Sequence, residues 1–493
     1  MILKKGLKTT LKNMNSNLKE KIFLIAVAIL LSAAIIGLFD RPLAVGIIFI
    51  AFLAGITFLI FNKIGLGVKV IFTLFLIALL IHLAAVLFIY YADFQPFSGS
   101  RGDYSEYDAL AREIAQRVQQ GNLSLQGINY GHFYPVIIGY IYALTLPEIL
   151  IGQMFNAWLA ALLVIFVYLI VIEIGGSEKQ GFFAGLIVSI YPSLLFFGSL
   201  LLKDALVALL YSIVLLLILK LLKLFSWRRF LIFYIFLGTL MHFRSYIGFA
   251  ALLTFIISWF IFSNLKIKKR LIYGVIIVVI LGFLPNISGG EGSGQGYYGI
   301  NFMRIYISRN TITYYRELLS IPNPKISPIT GFPTYDELST DELSADEPSA
   351  SEEPSASADK PITKRGRGSV VTVETGFENP FIFLKNSLIS FIYASLGPFL
   401  WQMRYLRHLF VLPELILWYF ALFFIIKGIK KPIRSHTFTL LIFSLIVFGV
   451  LSLFLCDFGI TTRIRIPAFI SLFCLAPFGF ERLKNIKIPF LKI

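Results

Sequence analysis

A carboxylate at Asp103 is followed at steps of four by Tyr107 and Ala111, in an acidic stretch that comes directly after a series of long apolar runs. At the lip of a bilayer such a group suits a general base, since it faces water and can reach the hydroxyl of a membrane-bound acceptor. Asp103 and Glu106 also fit a capping box, in which two side chains satisfy the free amides that open a helix. The two roles are compatible. The spacing predicts a helix from Asp103 to Val118, with Tyr107, Leu110, Ala111, Ile114 and Val118 on an apolar face and Glu106, Arg112, Glu113 and Arg117 elsewhere. Such a helix lies along a membrane surface.

Four other polar sets interrupt apolar sequence. His132 and Tyr134 precede Pro135; a histidine at headgroup depth can contact a phosphate, while a belt of interfacial aromatics explains the tyrosine equally well. Lys203 and Asp204 follow Tyr191-Pro192 at the outer end of a helix pair, where charge is costly and marks function, although a plain Lys-Asp surface pair accounts for them too. Arg244, next to His242 and Phe243, falls on the outer side, against the usual placement of positive charge. Arg463 and Arg465, close to Asp457 and Gly459, are two outer arginines one residue apart. They suit a lipid-linked phosphate, or else anchorage to anionic headgroups. If a divalent cation such as Mg or Mn takes part, Asp103 and Asp204 are the carboxylates to hold it.

These residues need a frame, and composition supplies one. Of 493 residues 57% are hydrophobic, 49 are Phe and only 14% are charged, where a soluble domain has about a quarter charged. Repeated apolar stretches long enough to cross the hydrocarbon core, about 20 residues each, make the chain a polytopic membrane protein. The net charge of +17 does not imply nucleic acid, because most Lys and Arg cluster in short turns and at the termini, as the positive-inside rule expects. Those basic flanks favour anionic membrane lipids. Cys456 and Cys474 have no metal-ligand spacing and read as small apolar residues. The chain has no Gly-rich nucleotide loop and no His-Glu-x-x-His motif.

The lysines of the N-terminal tail place it in the cytoplasm. The stretch 22–39 lacks a small-residue cleavage site and reads as a retained helix. Spans at 22–39, 43–61 and 68–91 then put the loop carrying Asp103 outside. Treating 134–149 as interfacial and 381–401 as interfacial or re-entrant keeps every basic turn inside. Further spans fall at 150–173, 181–199, 205–222, 230–244, 247–263, 271–286, 410–426, 436–456 and 466–480. The expectation is about 12 crossings with both termini cytoplasmic. Five regions result: 1–92, 93–149, 150–286, 287–380 and 381–493. Within 287–380, Asp336-Glu337, Asp341-Glu342 and Asp346-Glu347 recur at intervals of five. The tract 334–359, rich in acid and poor in apolar residues, predicts a disordered outer loop.

Taken in chain order, these motifs resemble the GT-C glycosyltransferases that use polyprenyl-phosphate sugars, especially the bacterial branch similar to protein O-mannosyltransferases and lipid A aminoarabinose transferases. The likeness rests on Asp103 with Tyr107 and Ala111, Tyr134-Pro135, Tyr191-Pro192 and Leu202-Lys203-Asp204. It continues with Leu240 to Ser245, Pro398 to Trp401 with Glu414 and Trp418, and Gly459 to Pro467. Three departures stand out: Ser245 where a proline is usual, Asp457 where an asparagine is frequent, and three spans rather than one before the Asp103 loop. The resemblance implies an all-α polytopic bundle in the cytoplasmic membrane, with juxtamembrane helices and the active site outside. It implies Asp103 as catalytic base, Asp204 as the second acidic position and the terminal arginines at the donor phosphate. The acceptor would be a hydroxyl of a glycan, lipid or protein. Two other readings stay open. A polymerase or ligase acting on polyprenyl-pyrophosphate glycans wants the same outer arginines, and a flippase or transporter wants midplane charges and inverted repeats, which this sequence does not show.

Overall fold

The computed structural model of the protein describes residues 16–64, 68–94, 103–128, 130, 133–282, 380–402, 411–429, 437–454 and 458–480. His132, Asp457 and the acidic tract 334–359 lie outside the described residues.

The described chain is all-α. Its helices are α1 (Ser16–Gly37), α2 (Arg41–Ile64), α3 (Val68–Tyr91), α4 (Asp103–Gln119), α5 (Tyr134–Leu144), α6 (Ile149–Glu173), α7 (Glu178–Ser189), α8 (Pro192–Ser199), α9 (Asp204–Lys223), α10 (Trp227–Phe243), α11 (Ser245–Phe262), α12 (Ile267–Gly282), α13 (Pro380–Leu396), α14 (Leu412–Ile429), α15 (Phe438–Phe454), α16 (Phe458–Ile464) and α17 (Ile466–Phe473). A helix apolar all round has no face to offer water and must sit in protein or lipid. Among the described residues five helices are long and apolar enough to cross a membrane: α2, α3, α6, α9 and α11. A sixth crossing is formed if α7 and α8 count as one span bent by 57°. The bend follows from Pro192, which removes an amide and forces Tyr191 out of helical geometry, at φ −64° and ψ 113°. This is a membrane protein. The described residues give five or six crossings and do not confirm the 12 expected from sequence; among the stretches expected to cross, α10 and α15 have only 17 residues each. At 11 residues, about 17 Å, α5 is too short to span.

The centre of the bundle is α9 and α6, with 78% and 67% of their spans buried against 22% for α2. At one end Lys223 Nζ, finishing α9, lies 2.7 Å from Glu173 Oε1, finishing α6. Arg270 at the start of α12 donates to the Phe260 carbonyl at 3.0 Å, so α11 ends and α12 begins together. At the other end Asn156, two turns into α6, donates to the carbonyls of Leu200 and Leu202 just before α9. The 20 residues of α9 separate these two ends by about 30 Å, the thickness of the hydrocarbon core.

Helix α4 packs on α5 over Gly139, where an added Cβ would sit 2.6 Å from Ile114 Cγ2 and 3.1 Å from the Ala111 carbonyl. A small residue here lets two backbones meet. Tyr142 donates to Asp108 Oδ1 at 2.7 Å, and Arg112 bridges Asp108 and Glu148 at 2.7 and 3.1 Å. The pair therefore forms one polar-faced, apolar-backed unit at the Asp204 end of the bundle.

Candidate active site

The loop that delivers Lys203 and Asp204 is fixed from below. Asn156 is fully buried; its amide nitrogen donates to Leu200 O at 2.7 Å and Leu202 O at 2.8 Å, and its oxygen accepts from the Tyr134 hydroxyl at 2.9 Å. One side chain thus ties the start of α5 and the turn before α9 to α6. Asp204 begins α9, where the helix dipole favours a negative charge.

Asp204 is buried, its side chain 2% exposed, and two guanidiniums face it. Arg463 Nε donates to Oδ2 at 2.6 Å. Arg244 Nη1 lies 2.8 Å from Oδ1 as an ion pair without hydrogen-bond alignment. A buried carboxylate costs several kcal/mol unless it is paired in this way. The same Arg463 reaches outward: its Nη1 donates to Asp103 Oδ2 at 2.9 Å. Asp103 is 54% exposed at the start of α4. Burial disfavours the Arg463 cation, but Asp204 and Asp103 outweigh it and hold the group protonated, above its ordinary range.

Lys203 makes no side-chain hydrogen bond or ion pair among the described residues. Burial, with repulsion from Arg244 and Arg463, brings its ammonium down to about 8 against the pull of Asp204 and Asp103. Tyr107 meets the Tyr134 ring edge-on with centroids 5.6 Å apart. Burial first, then Asp103, pushes its phenol up to about 12, so it stays protonated. His242 Nε2 accepts the Phe133 amide at 3.1 Å, which ties α10 to the start of α5.

Arg465 takes a different direction from the expected one. It is fully buried, donating to Glu414 Oε1 at 2.6 Å and to the carbonyls of Gly397 and Ala394 at 2.5 and 3.4 Å. Its guanidinium lies 4.7 Å over the Phe469 ring. Glu414 also accepts from Ser193 Oγ and from the Tyr191 hydroxyl. The reason is geometric. Two residues along a helix rotate a side chain by about 200°, so Arg463 and Arg465 point to opposite sides, one toward Asp204 and the other into the core.

Asp103, Asp204, Lys203, Arg244, Arg463, Tyr107 and Tyr134 therefore cluster at one end of the bundle, while Arg465 is held apart from them. His242, named in sequence beside Arg244, joins the cluster, as does Asn156, which was not singled out from sequence although a lone Asn inside an apolar span is itself a signal. Among the described residues no group of three His, Cys, Asp or Glu side chains could hold a metal. Asp103 and Asp204 share a guanidinium between them, so as arranged this pair does not fit a divalent cation. Among the described residues three cations against two carboxylates leave one net positive charge, partly shielded from water, which is the setting for a singly charged anion.

No protein-family model and no curated protein matches this chain.

Proposed function

We propose that the chain is an inverting GT-C-type glycosyltransferase that moves a sugar from a polyprenyl-phosphate donor to a hydroxyl acceptor on the extracytoplasmic face of the membrane, within a bundle of about 12 crossings. Asp103 takes the proton of the acceptor hydroxyl, whose oxygen attacks the anomeric carbon opposite the lipid phosphate. The carbon–oxygen bond to phosphate breaks, and its electron pair leaves with the phosphate. A single in-line displacement inverts the anomeric centre. Arg463, Arg244 and Lys203 receive the charge that gathers on the leaving group.

The observation that carries this reading is the shared guanidinium. Arg463 links a half-exposed carboxylate to a buried one at the bundle end about 30 Å from the Glu173–Lys223 pair. The single surplus positive charge suits a phosphodiester better than a diphosphate, which favours the monophosphate donor over the polymerase or ligase alternative.

The test is transfer in lipid nanodiscs, comparing polyprenyl-monophosphate sugars with polyprenyl-diphosphate oligosaccharides. Transfer from the monophosphate with inverted configuration, reduced at least 100-fold by Asp103→Asn, is expected, since general-base assistance contributes about 10²–10⁴-fold. Near-normal transfer by Asp103→Asn, or transfer from diphosphate donors alone, overturns the reading.

A further inference from the structure

We infer that Arg463 is an exchangeable counter-ion: in the empty protein it holds Asp103, and an incoming prenyl-phosphate anion takes its place, so that donor binding and release of the base are one event. This rests on the function proposed above and adds to it an order of binding, donor before acceptor.

The two carboxylates on Arg463 are not equivalent. Asp204 is 2% exposed and has a second guanidinium beside it, whereas Asp103 is 54% exposed and among the described residues has Arg463 as its one side-chain partner. Breaking a buried pair strands a charge in a medium that cannot solvate it. Letting go of a half-exposed carboxylate returns it to water at little cost. When an anion arrives, the contact that yields is therefore Arg463 Nη1 to Asp103 Oδ2, and the one that stays is Arg463 Nε to Asp204 Oδ2.

Charge is conserved through the cycle. With a singly charged phosphodiester bound, the three cations, two carboxylates and ligand come to zero. Transfer moves one proton from the acceptor hydroxyl to Asp103 and leaves one more negative charge on the departing phosphate, so the sum is still zero. Neutral Asp103 no longer competes for Arg463. When the phosphate departs, Asp103 loses its proton to water and the pair re-forms. An acceptor that arrives first finds its base engaged with a cation and turned from the reacting centre.

A merely structural contact would lose affinity when broken, but a competitor gains it when removed. The experiment measures binding of a short-chain prenyl phosphodiester to the full chain in nanodiscs, by calorimetry at fixed pH and salt. Asp103→Asn and Asp103→Ser should each tighten binding, on the order of fivefold, while Asp103→Glu stays near wild type. Glu106→Gln, which removes an exposed charge from the same helix turn, should leave affinity unchanged. Unchanged or weaker binding in Asp103→Asn and Asp103→Ser overturns the exchange, even where transfer is lost and the base assignment stands. Equal tightening by Glu106→Gln also overturns it, by showing a diffuse field effect. Wild-type protein that binds no prenyl phosphodiester removes both this inference and the function beneath it.

Discussion

Arg463 hydrogen-bonds carboxylates 259 and 360 residues away in the chain, and the chemistry of the site turns on what its neighbours can add. Lys203 adds a cation whose presence depends on pH. Its ammonium titrates at about 8 in the free protein because burial and two arginines disfavour it, and a bound anion pulls that value back up. Affinity for a prenyl phosphodiester, whose own charge is constant, should hold below about pH 8 and fall as pH rises above it. Lys203→Met should bind more weakly and flatten that fall. A decline unaltered in Lys203→Met would assign it to another group. Arg465 behaves differently, because its charge is neutralised inside the protein by Glu414. Removing one partner of a buried pair typically costs about 3–5 kcal/mol. Arg465→Met should therefore lower the thermal unfolding temperature by several degrees, and Arg465→Met with Glu414→Leu should recover part of that loss. Prenyl-phosphate affinity of the folded fraction should not change. A selective loss of affinity at unaltered melting temperature would instead make Arg465 a ligand.

At the scale of elements, the site depends on where α4, α5 and α9 begin. Asn156 sets two of those starting points with three hydrogen bonds. Asn156→Leu leaves two loop carbonyls and a tyrosine hydroxyl without their partner, each loss worth about 1–3 kcal/mol when buried. It should reduce prenyl-phosphate affinity at least tenfold while helix content by circular dichroism stays the same. Equal affinity in that variant would mean the Leu200–Leu202 turn holds Lys203 and Asp204 unaided. The helix from Asp103 was legible in sequence, since its amphipathic spacing is local: Val118 was the expected end and Gln119 is the observed one. Asp204, Arg244 and Arg463 could be nominated one by one, as charges where apolar residues are the rule. Their meeting could not, because no local spacing encodes a contact across hundreds of residues. The opposite directions of Arg463 and Arg465 needed helical register through Gly459 to Pro467, which nothing nearby in the sequence fixes. Among the described residues five or six crossings stand against about 12 read from hydropathy, which marks where apolar sequence lies but not where a helix such as α10 stops after 17 residues.

For the whole molecule, the two ends of the bundle differ in kind. One gathers a mixed cluster of Asp103, Asp204, Lys203, Arg244 and Arg463. The other begins α10 with Trp227-Arg228-Arg229 and α12 with Lys268, Lys269 and Arg270, a basic rim with Lys223 closing α9 on Glu173. On the proposed topology that rim is cytoplasmic, as the positive-inside rule expects, and about 30 Å of α9 carries the Asp204 end to the opposite face. A lipid-borne donor fits that face, since its charged head resides at the interface and its reach is two-dimensional. Sidedness can be read with single cysteines in a background lacking Cys456 and Cys474. An impermeant maleimide added to intact cells should label Gln119→Cys, in the last turn of α4, and should label Ser226→Cys, just ahead of α10, only after lysis. The reverse pattern would turn the molecule over and bring Asp103 to the cytoplasm, within reach of soluble nucleotide sugars. A lipid-linked donor would then lose its advantage. Labelling of both positions from one side would require an even number of crossings between them, and α6, α9 and the bent α7–α8 pair would have to be re-threaded.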